Sequence, residues 1–202
     1  HSNFFFRDEV IIINSFAQYI LRNDGTYAWK IITTSELDSS ESPLFTFFFV
    51  YLASKLGKNE EVLYRVDSAP SGKGYVAMPQ LSFFKGEALL YKGETTKARK
   101  SLNSYLATFK GQSLLKATYL RLAWSYILDG DQAQAAKMMQ SVIQRGKSVN
   151  ETDKAALKQA ENNPVPNGIL LRARLEFDGG YYNQAKQTIE KYKLTNSTEE
   201  NM

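Results

Sequence analysis

Four glycines recur along this chain of 202 residues, and each stands in the same frame of small residues. A small or compact residue lies seven places before each glycine, another lies five places after it, and an apolar residue follows four places further on. The glycines are separated by 36, 37 and 50 residues, and they are Gly57, Gly93, Gly130 and Gly180. A frame that recurs at this period predicts an array of stacked helical hairpins, which constrains the fold more than any other feature.

The small residues of this frame have a packing role in such an array. Two backbones cross closely where both helices carry a small side chain, and a bulkier residue there costs about 1–3 kcal/mol. Each turn glycine is expected to end a helix in the left-handed conformation, and short glycine turns make the two helices of a hairpin antiparallel. The small positions are Gly86, Ala123 and Ala173 midway along first helices, and Ala98, Ala135 and Ala185 near the start of second helices.

Glycine and proline residues separate successive helical segments, so we predict an all-α solenoid of about five antiparallel hairpins. Residues 1–42 form an N-terminal hairpin that fits the repeat loosely, residues 43–193 carry the repeats, and residues 194–202 form a polar, frayed tail. The long spacing before Gly180 leaves room for an inserted short helix near 150–161. The predicted helices cover about 3–22, 27–37, 43–57, 59–67, 79–92, 95–109, 112–128, 131–145, 150–161, 167–177 and 181–192.

The absence of two residue types from the chain's interior excludes several kinds of catalytic and metal site. The chain has no cysteine, and its single histidine is His1. A Ser-His-Asp triad, a Cys-His dyad and a zinc site built on thiolates or imidazoles are therefore excluded. The segment Ser71–Gly74 lacks the strand, the spacing and the Lys-Ser/Thr ending of a phosphate-binding loop. We expect no catalytic residue, no cofactor and no metal ion.

Charge and hydropathy argue against nucleic acid and membranes as partners. The net charge is +4, but basic and acidic residues are interspersed, whereas a nucleic-acid interface needs basic residues clustered on one face. The apolar runs Val10–Ile13 and Leu44–Ala53 are well short of the ~20 residues that span a bilayer. The chain begins with His1 rather than Met, so we expect a processed form or an excised domain. It is expected to be soluble, and the sequence does not choose between cytoplasm and periplasm.

At the glycines and small residues of the repeat, the chain resembles the tetratricopeptide-repeat family, and in particular uncharacterised bacterial members. The units Ser82–Tyr105, Tyr119–Val142 and Ile169–Tyr192 carry the family's small residue, turn glycine and second-helix alanine. The unit Thr46–Val66 is a degenerate copy, so the resemblance covers about 150 residues. It implies a right-handed superhelix. The proline that usually closes each repeat is missing, and the 13 extra residues before the last unit are expected to disturb the regular superhelix.

The resemblance also implies which side chains line a concave groove, because first helices line it in this family. We hypothesise a peptide-binding groove that takes an amphipathic helix or an extended peptide, with Trp124, Tyr51 and Phe83 as anchors. The family's acidic-peptide clamp is not expected, since its basic and amide residues are mostly absent. The proposed groove residues are Phe47, Tyr51, Phe83, Glu87, Tyr91, Leu120, Trp124 and Arg174.

Two alternatives to a peptide groove stay open at this point. The aromatic side chains pack as core between neighbouring first helices, or the surface closes on a second copy or on another part of the same chain, in a structural or assembly role. The spacing of Arg172 with Glu176, and of Arg174 with Asp178, predicts ordinary surface ion pairs along one helix rather than acid–base chemistry. The preferred interpretation is a non-enzymatic module that binds a protein or peptide.

Overall fold

The computed structural model describes the backbone of residues 3–34, 42–69, 78–162 and 165–199, and the side chains of those among residues 10–193. Every regular element in these ranges is an α-helix, which confirms the all-α prediction. The helices of the described chain are α1 (Asn3–Arg22), α2 (Gly25–Thr34), α3 (Pro43–Lys55), α4 (Asn59–Asp67), α5 (Gln80–Lys92), α6 (Thr95–Thr108), α7 (Leu115–Leu128), α8 (Gln132–Gln144), α9 (Glu151–Asn162), α10 (Gly168–Asp178) and α11 (Tyr182–Glu199).

Successive helices form antiparallel pairs, which is consistent with helical-repeat packing. Helix α1 packs on α2, α3 on α4, α7 on α8, and α10 on α11. The inserted helix predicted near 150–161 is present as α9, and it packs against both α7 and α8. Helix α11 continues to Glu199, into the segment where the sequence predicts a frayed tail. The segment Ser71–Gly74 and the predicted end of the second helix at 35–37 lie outside the described residues.

The chain divides into two compact units, His1–Phe84 and Lys85–Met202. The boundary falls inside α5, so the first turns of that helix belong to the first unit and the rest to the second.

The four turn glycines have the backbone conformation that the sequence predicts. Their φ angles are positive, between 65° and 85°, a region that a side chain disfavours. In every turn the residue after the glycine donates its N–H to the carbonyl five places earlier, as from Lys58 to Ala53 at 2.9 Å and from Tyr181 to Glu176 at 2.8 Å. This bond satisfies a carbonyl that the helix end would leave unpaired.

Close crossings between paired helices explain the small residues of the repeat. Ala98, Ala123 and Ala135 are fully buried. A Cβ atom built on Gly86 would lie 2.6 Å from Cγ of Leu102 and 3.2 Å from the carbonyl oxygen of Ala98, so the crossing of α5 and α6 requires glycine. The packing role predicted for this position is confirmed.

The core of the first unit is built where α1, α2 and α3 meet. Its buried side chains include Ile12, Ile32, Phe45 and Leu52. The guanidinium of Arg65 lies 4.7 Å from the ring centre of Phe45, so a cation covers one face of this core.

The inserted helix α9 fixes the start of α7 through a buried carboxylate. Asp153 is fully buried, and its oxygens accept the backbone N–H groups of Leu114 at 2.8 Å and Ala117 at 3.1 Å. The side chain of Asn150 donates to the same carboxylate at 2.9 Å. Helix α7 has no cap from its own preceding residue, Leu114, so α9 supplies the acceptor that its first turn needs.

Candidate functional site

The structure places the eight predicted groove residues at very different depths. In the first unit Phe83 is buried, and Phe47 and Tyr51 are half-buried. In the second unit Leu120 and Trp124 are only 1% and 2% exposed. The remaining three are Glu87, which is buried, Tyr91, which is half-buried, and Arg174, which is exposed.

The three aromatic residues of the first unit lie within one cluster of rings. Phe47 and Tyr51 stack on each other along α3 with ring centres 6.2 Å apart. The ring centre of Phe84 lies 6.3 Å from that of Phe47 and 6.1 Å from that of Tyr51. The Phe84 ring also contacts the ring of its neighbour Phe83. Tyr19 of α1 meets Tyr51 edge to face, and burial together with this neighbour raises the pKa of the Tyr51 hydroxyl. These mutual contacts support the alternative in which these rings are core.

In the second unit Trp124 and Arg174 come into contact, although fifty residues separate them. Helices α7 and α10, the first helices of their pairs, pack on each other. The Arg174 guanidinium lies 5.3 Å from the centre of the Trp124 ring system, and the Arg121 guanidinium lies 4.3 Å from it. The indole therefore contacts two cations, of which Arg121 is nearly buried and Arg174 is exposed.

Glu87 neutralises the buried cation of this pair. Its Oε1 accepts from Arg121 Nε at 2.9 Å and lies 2.7 Å from Nη2. Burial by itself lowers the pKa of Arg121, but the Glu87 carboxylate and the Tyr91 hydroxyl raise it above its ordinary value. Burial also raises the pKa of Tyr91, and the neighbouring Glu87 adds to the effect. Because both pKa values are raised, at neutral pH the guanidinium of Arg121 is charged and the phenol of Tyr91 is neutral.

The indole N–H of Trp124 is buried and has no hydrogen-bond partner among the described residues. A buried donor without a partner costs about 1–3 kcal/mol, so native structures satisfy nearly all such groups. The exposed Arg174 pairs only loosely with Asp178, with 3.6 Å between Nε and Oδ2. We define the Trp124 face as Trp124, Arg121, Arg174, Glu87 and Tyr91.

The ion pairs predicted along α10 both form, but one of them is not an ordinary surface pair. Arg172 Nε donates to Glu176 Oε1 at 2.7 Å, and the Glu176 side chain is only 8% exposed. The second carboxylate oxygen of Glu176 accepts from Thr188 of α11 at 2.7 Å. Arg172 also donates to the Lys92 carbonyl at 3.3 Å and lies directly against Gly93. The prediction of a surface pair is wrong at Arg172 because tertiary contacts bury its partner.

A cleft of about 520 Å³, which the sequence does not predict, opens beside this pair. It is formed by the turn between α5 and α6, the end of α7, the start of α10 and one residue of α11. On one side Asp129 accepts from Thr95 at 2.9 Å and from Arg99 at 2.6 Å. The lining residues are Gly93, Thr95, Ile127, Leu128, Asp129, Gly130, Asn167, Gly168, Ile169, Arg172 and Thr188.

Two kinds of site are not found in the part of the chain that the structure describes. No three His, Cys, Asp or Glu side chains there come together as a metal site would require. No helix in those ranges has the length and the apolar character needed to cross a membrane.

No protein-family model matches this chain, and neither a curated protein nor a solved structure matches it. The geometry of the Trp124 face therefore carries the functional argument.

Proposed function

We propose that this chain is a non-enzymatic protein-interaction module of the tetratricopeptide type, a right-handed solenoid that binds a peptide or helix at the Trp124 face. The observation that carries the proposal is the buried, unpartnered indole N–H of Trp124, whose ring system contacts the exposed and loosely paired Arg174. Interfaces are enriched in tryptophan and arginine, which dominate binding energy when a partner desolvates them.

Arg174 acts as a movable cover over the indole. Its side chain is 56% exposed and its contact with Asp178 is long, so turning it away from the ring loses little energy. An arriving partner then gains the apolar indole surface and can offer a carbonyl oxygen to the N–H. A backbone carbonyl is the commonest acceptor that a peptide presents.

Charge balance argues for a partner that is not strongly acidic. Arg121 is paired with Glu87, and Arg174 lies beside Asp178, so the two cations of this face have two carboxylates nearby. The expected ligand is an apolar side chain flanked by free carbonyl groups, rather than a run of carboxylates. This agrees with the absence of the family's acidic-peptide clamp from the sequence.

Affinity capture from the source cell tests the proposal when variants are compared side by side. Trp124→Phe keeps an aromatic ring and removes the N–H, and Arg145→Ala is the matched control because Arg145 lies 5.7 Å from the ring of Tyr119, away from the Trp124 face. The expected result is a protein held by the wild type and by Arg145→Ala but lost from folded Trp124→Phe. An identical set of captured proteins for all three would refute the proposal.

A further inference from the structure

Helix α1 has a second apolar face that points away from the core of its own unit. Its inward side chains, Ile12 and Ser15, are buried. On the opposite face the exposed fractions are 62% for Val10, 63% for Ile13, 56% for Ile20 and 83% for Leu21. Large aliphatic side chains scattered singly over a surface are normal, but these form one contiguous stripe.

The stripe has the spacing of a helix-packing seam. Val10, Ile13, Ala17 and Ile20 follow one another at intervals of three, four and three residues. With Leu21 they fall within an arc of about 100° around the helix axis. No charged residue lies between Glu9 and Arg22 in the sequence. Apolar residues at these intervals are what two helices use to interlock their side chains.

The helices that α1 contacts in its own unit, α2 and α3, lie on its other side. A lipid surface is a poor match for the stripe, since interfacial helices are rich in lysine and arginine on their polar face. Here the residues flanking the stripe are Arg7, Asp8 and Glu9 on one side and Arg22 on the other.

The area of the stripe suits a weak association. The four exposed side chains present about 450 Å², within the roughly 300–600 Å² of the largest apolar patch on a typical monomer, which is often functional. Two stripes that cover each other bury about 900 Å² in total, below the roughly 1,200–2,000 Å² of a stable interface. A pair of this size is expected to dissociate on dilution.

We propose that the stripe binds a second copy of this chain, with the two α1 helices antiparallel. In that arrangement Val10 packs on Ile20 of the second copy and Ile13 packs on its Ala17, so every layer joins a larger residue to a smaller one. A parallel pair would place Ala17 against Ala17 and leave a gap, which close-packed interfaces avoid. In the antiparallel order the positive end of each helix dipole also lies beside the negative end of the other, which is favourable. This proposal does not rest on the Trp124 face, which lies on other helices.

Sedimentation velocity over a range from low micromolar to near-millimolar concentration tests the association. We expect a monomer that turns into a dimer as concentration rises, and Ile13→Glu should abolish the dimer. The matched control is Ile143→Glu, a change at an aliphatic residue of α8 that is 48% exposed and outside the stripe. A chain that stays monomeric throughout would overturn the proposal, and so would a dimer that tolerates Ile13→Glu.

Disulfide trapping tests the antiparallel order, and the chain offers a background without cysteine. Ile13→Cys and Ala17→Cys variants are mixed and oxidised under mild conditions. Antiparallel pairing predicts that the mixed disulfide exceeds both self-disulfides together. If the self-disulfide of Ala17→Cys formed faster than the mixed disulfide, the two helices would be parallel and the proposed order would be overturned.

Discussion

Trp124 and Arg174 lie in contact, with the guanidinium 5.3 Å from the centre of the indole ring system. The contact joins α7 to α10, and the inserted helix α9 intervenes between these two in sequence.

Removing the cover should expose the indole. Arg174→Ala is predicted to shift Trp124 fluorescence to longer wavelength and to increase its quenching by acrylamide, because water then reaches the ring. Trp29, the other tryptophan, is changed to Phe in every protein compared so that one emitter is observed. The stability loss should be about 0.5 kcal/mol or less, since the lost contact involves an exposed cation. Unchanged quenching would show that Arg174 does not shield the ring, and Arg145→Ala is the control.

Asp153→Ala should be strongly destabilising. It leaves the N–H groups of Leu114 and Ala117 without their acceptor at a buried helix start, so we expect a loss of about 2–4 kcal/mol. The measurement is urea unfolding followed by circular dichroism. Glu151→Ala is the matched control on the same helix, because the Glu151 side chain is 88% exposed, and it should leave the unfolding midpoint nearly unchanged. Equal midpoints for the two variants would contradict the capping role of Asp153.

Two glycine-to-alanine changes should differ clearly in their effect on stability. At Gly86 the added methyl group collides with Leu102, and overpacking is expected to cost about 1–3 kcal/mol. At Gly168, in the first turn of α10, the nearest atom to an added methyl is 3.7 Å away, so alanine should be neutral or slightly stabilising. Thermal unfolding distinguishes the two, and a tolerated Gly86→Ala would refute the close crossing of α5 and α6.

Stability should fall as pH rises through the range in which free tyrosine ionises. Folding raises the pKa of Tyr91 and of Tyr105 above the ordinary value, chiefly by burial. Above about pH 10 the unfolded chain therefore releases protons that the folded chain keeps, and alkali favours unfolding. Below that pH the contribution of these two tyrosines to the free energy of unfolding is fully present.

The change Tyr91→Phe should flatten the alkaline loss of stability. We expect a smaller slope of unfolding free energy against pH between about pH 9 and about pH 11 than in the wild type. Urea unfolding at each pH gives the slope. The control is Tyr182→Phe, at a residue that is 59% exposed. The assignment would be refuted if the slope of Tyr91→Phe equalled that of the wild type.

Local backbone requirements are what the sequence pattern predicts well. The turn at Gly130 needs a positive φ whatever packs around it, and this requirement is visible in the repeat itself. The existence of α9 follows from the longer spacing before Gly180. The role of α9 does not, because Asp153 binds an N–H group 39 residues earlier and no local pattern encodes that pairing.

In the candidate site, too, the sequence predicts the local features but not the tertiary contacts. Helical spacing identifies Trp124 as a first-helix residue, but its depth depends on Arg121 beside it and on Arg174 from another helix. The alternating charges of α10 predict the Arg172–Glu176 ion pair. The burial of that pair, however, comes from its contacts with Thr188 and with the turn at Gly93. Tertiary contacts decide exposure, and exposure decides whether a side chain is core or binding surface.

The affinity of the captured partner for purified wild type and for Trp124→Phe tests the central claim most directly. Isothermal titration of both proteins, with Arg145→Ala as control, measures what the indole N–H and its surface contribute. We predict binding about tenfold or more weaker for Trp124→Phe and an unchanged affinity for the control. Equal affinities for all three folded proteins would contradict a partner site at the Trp124 face.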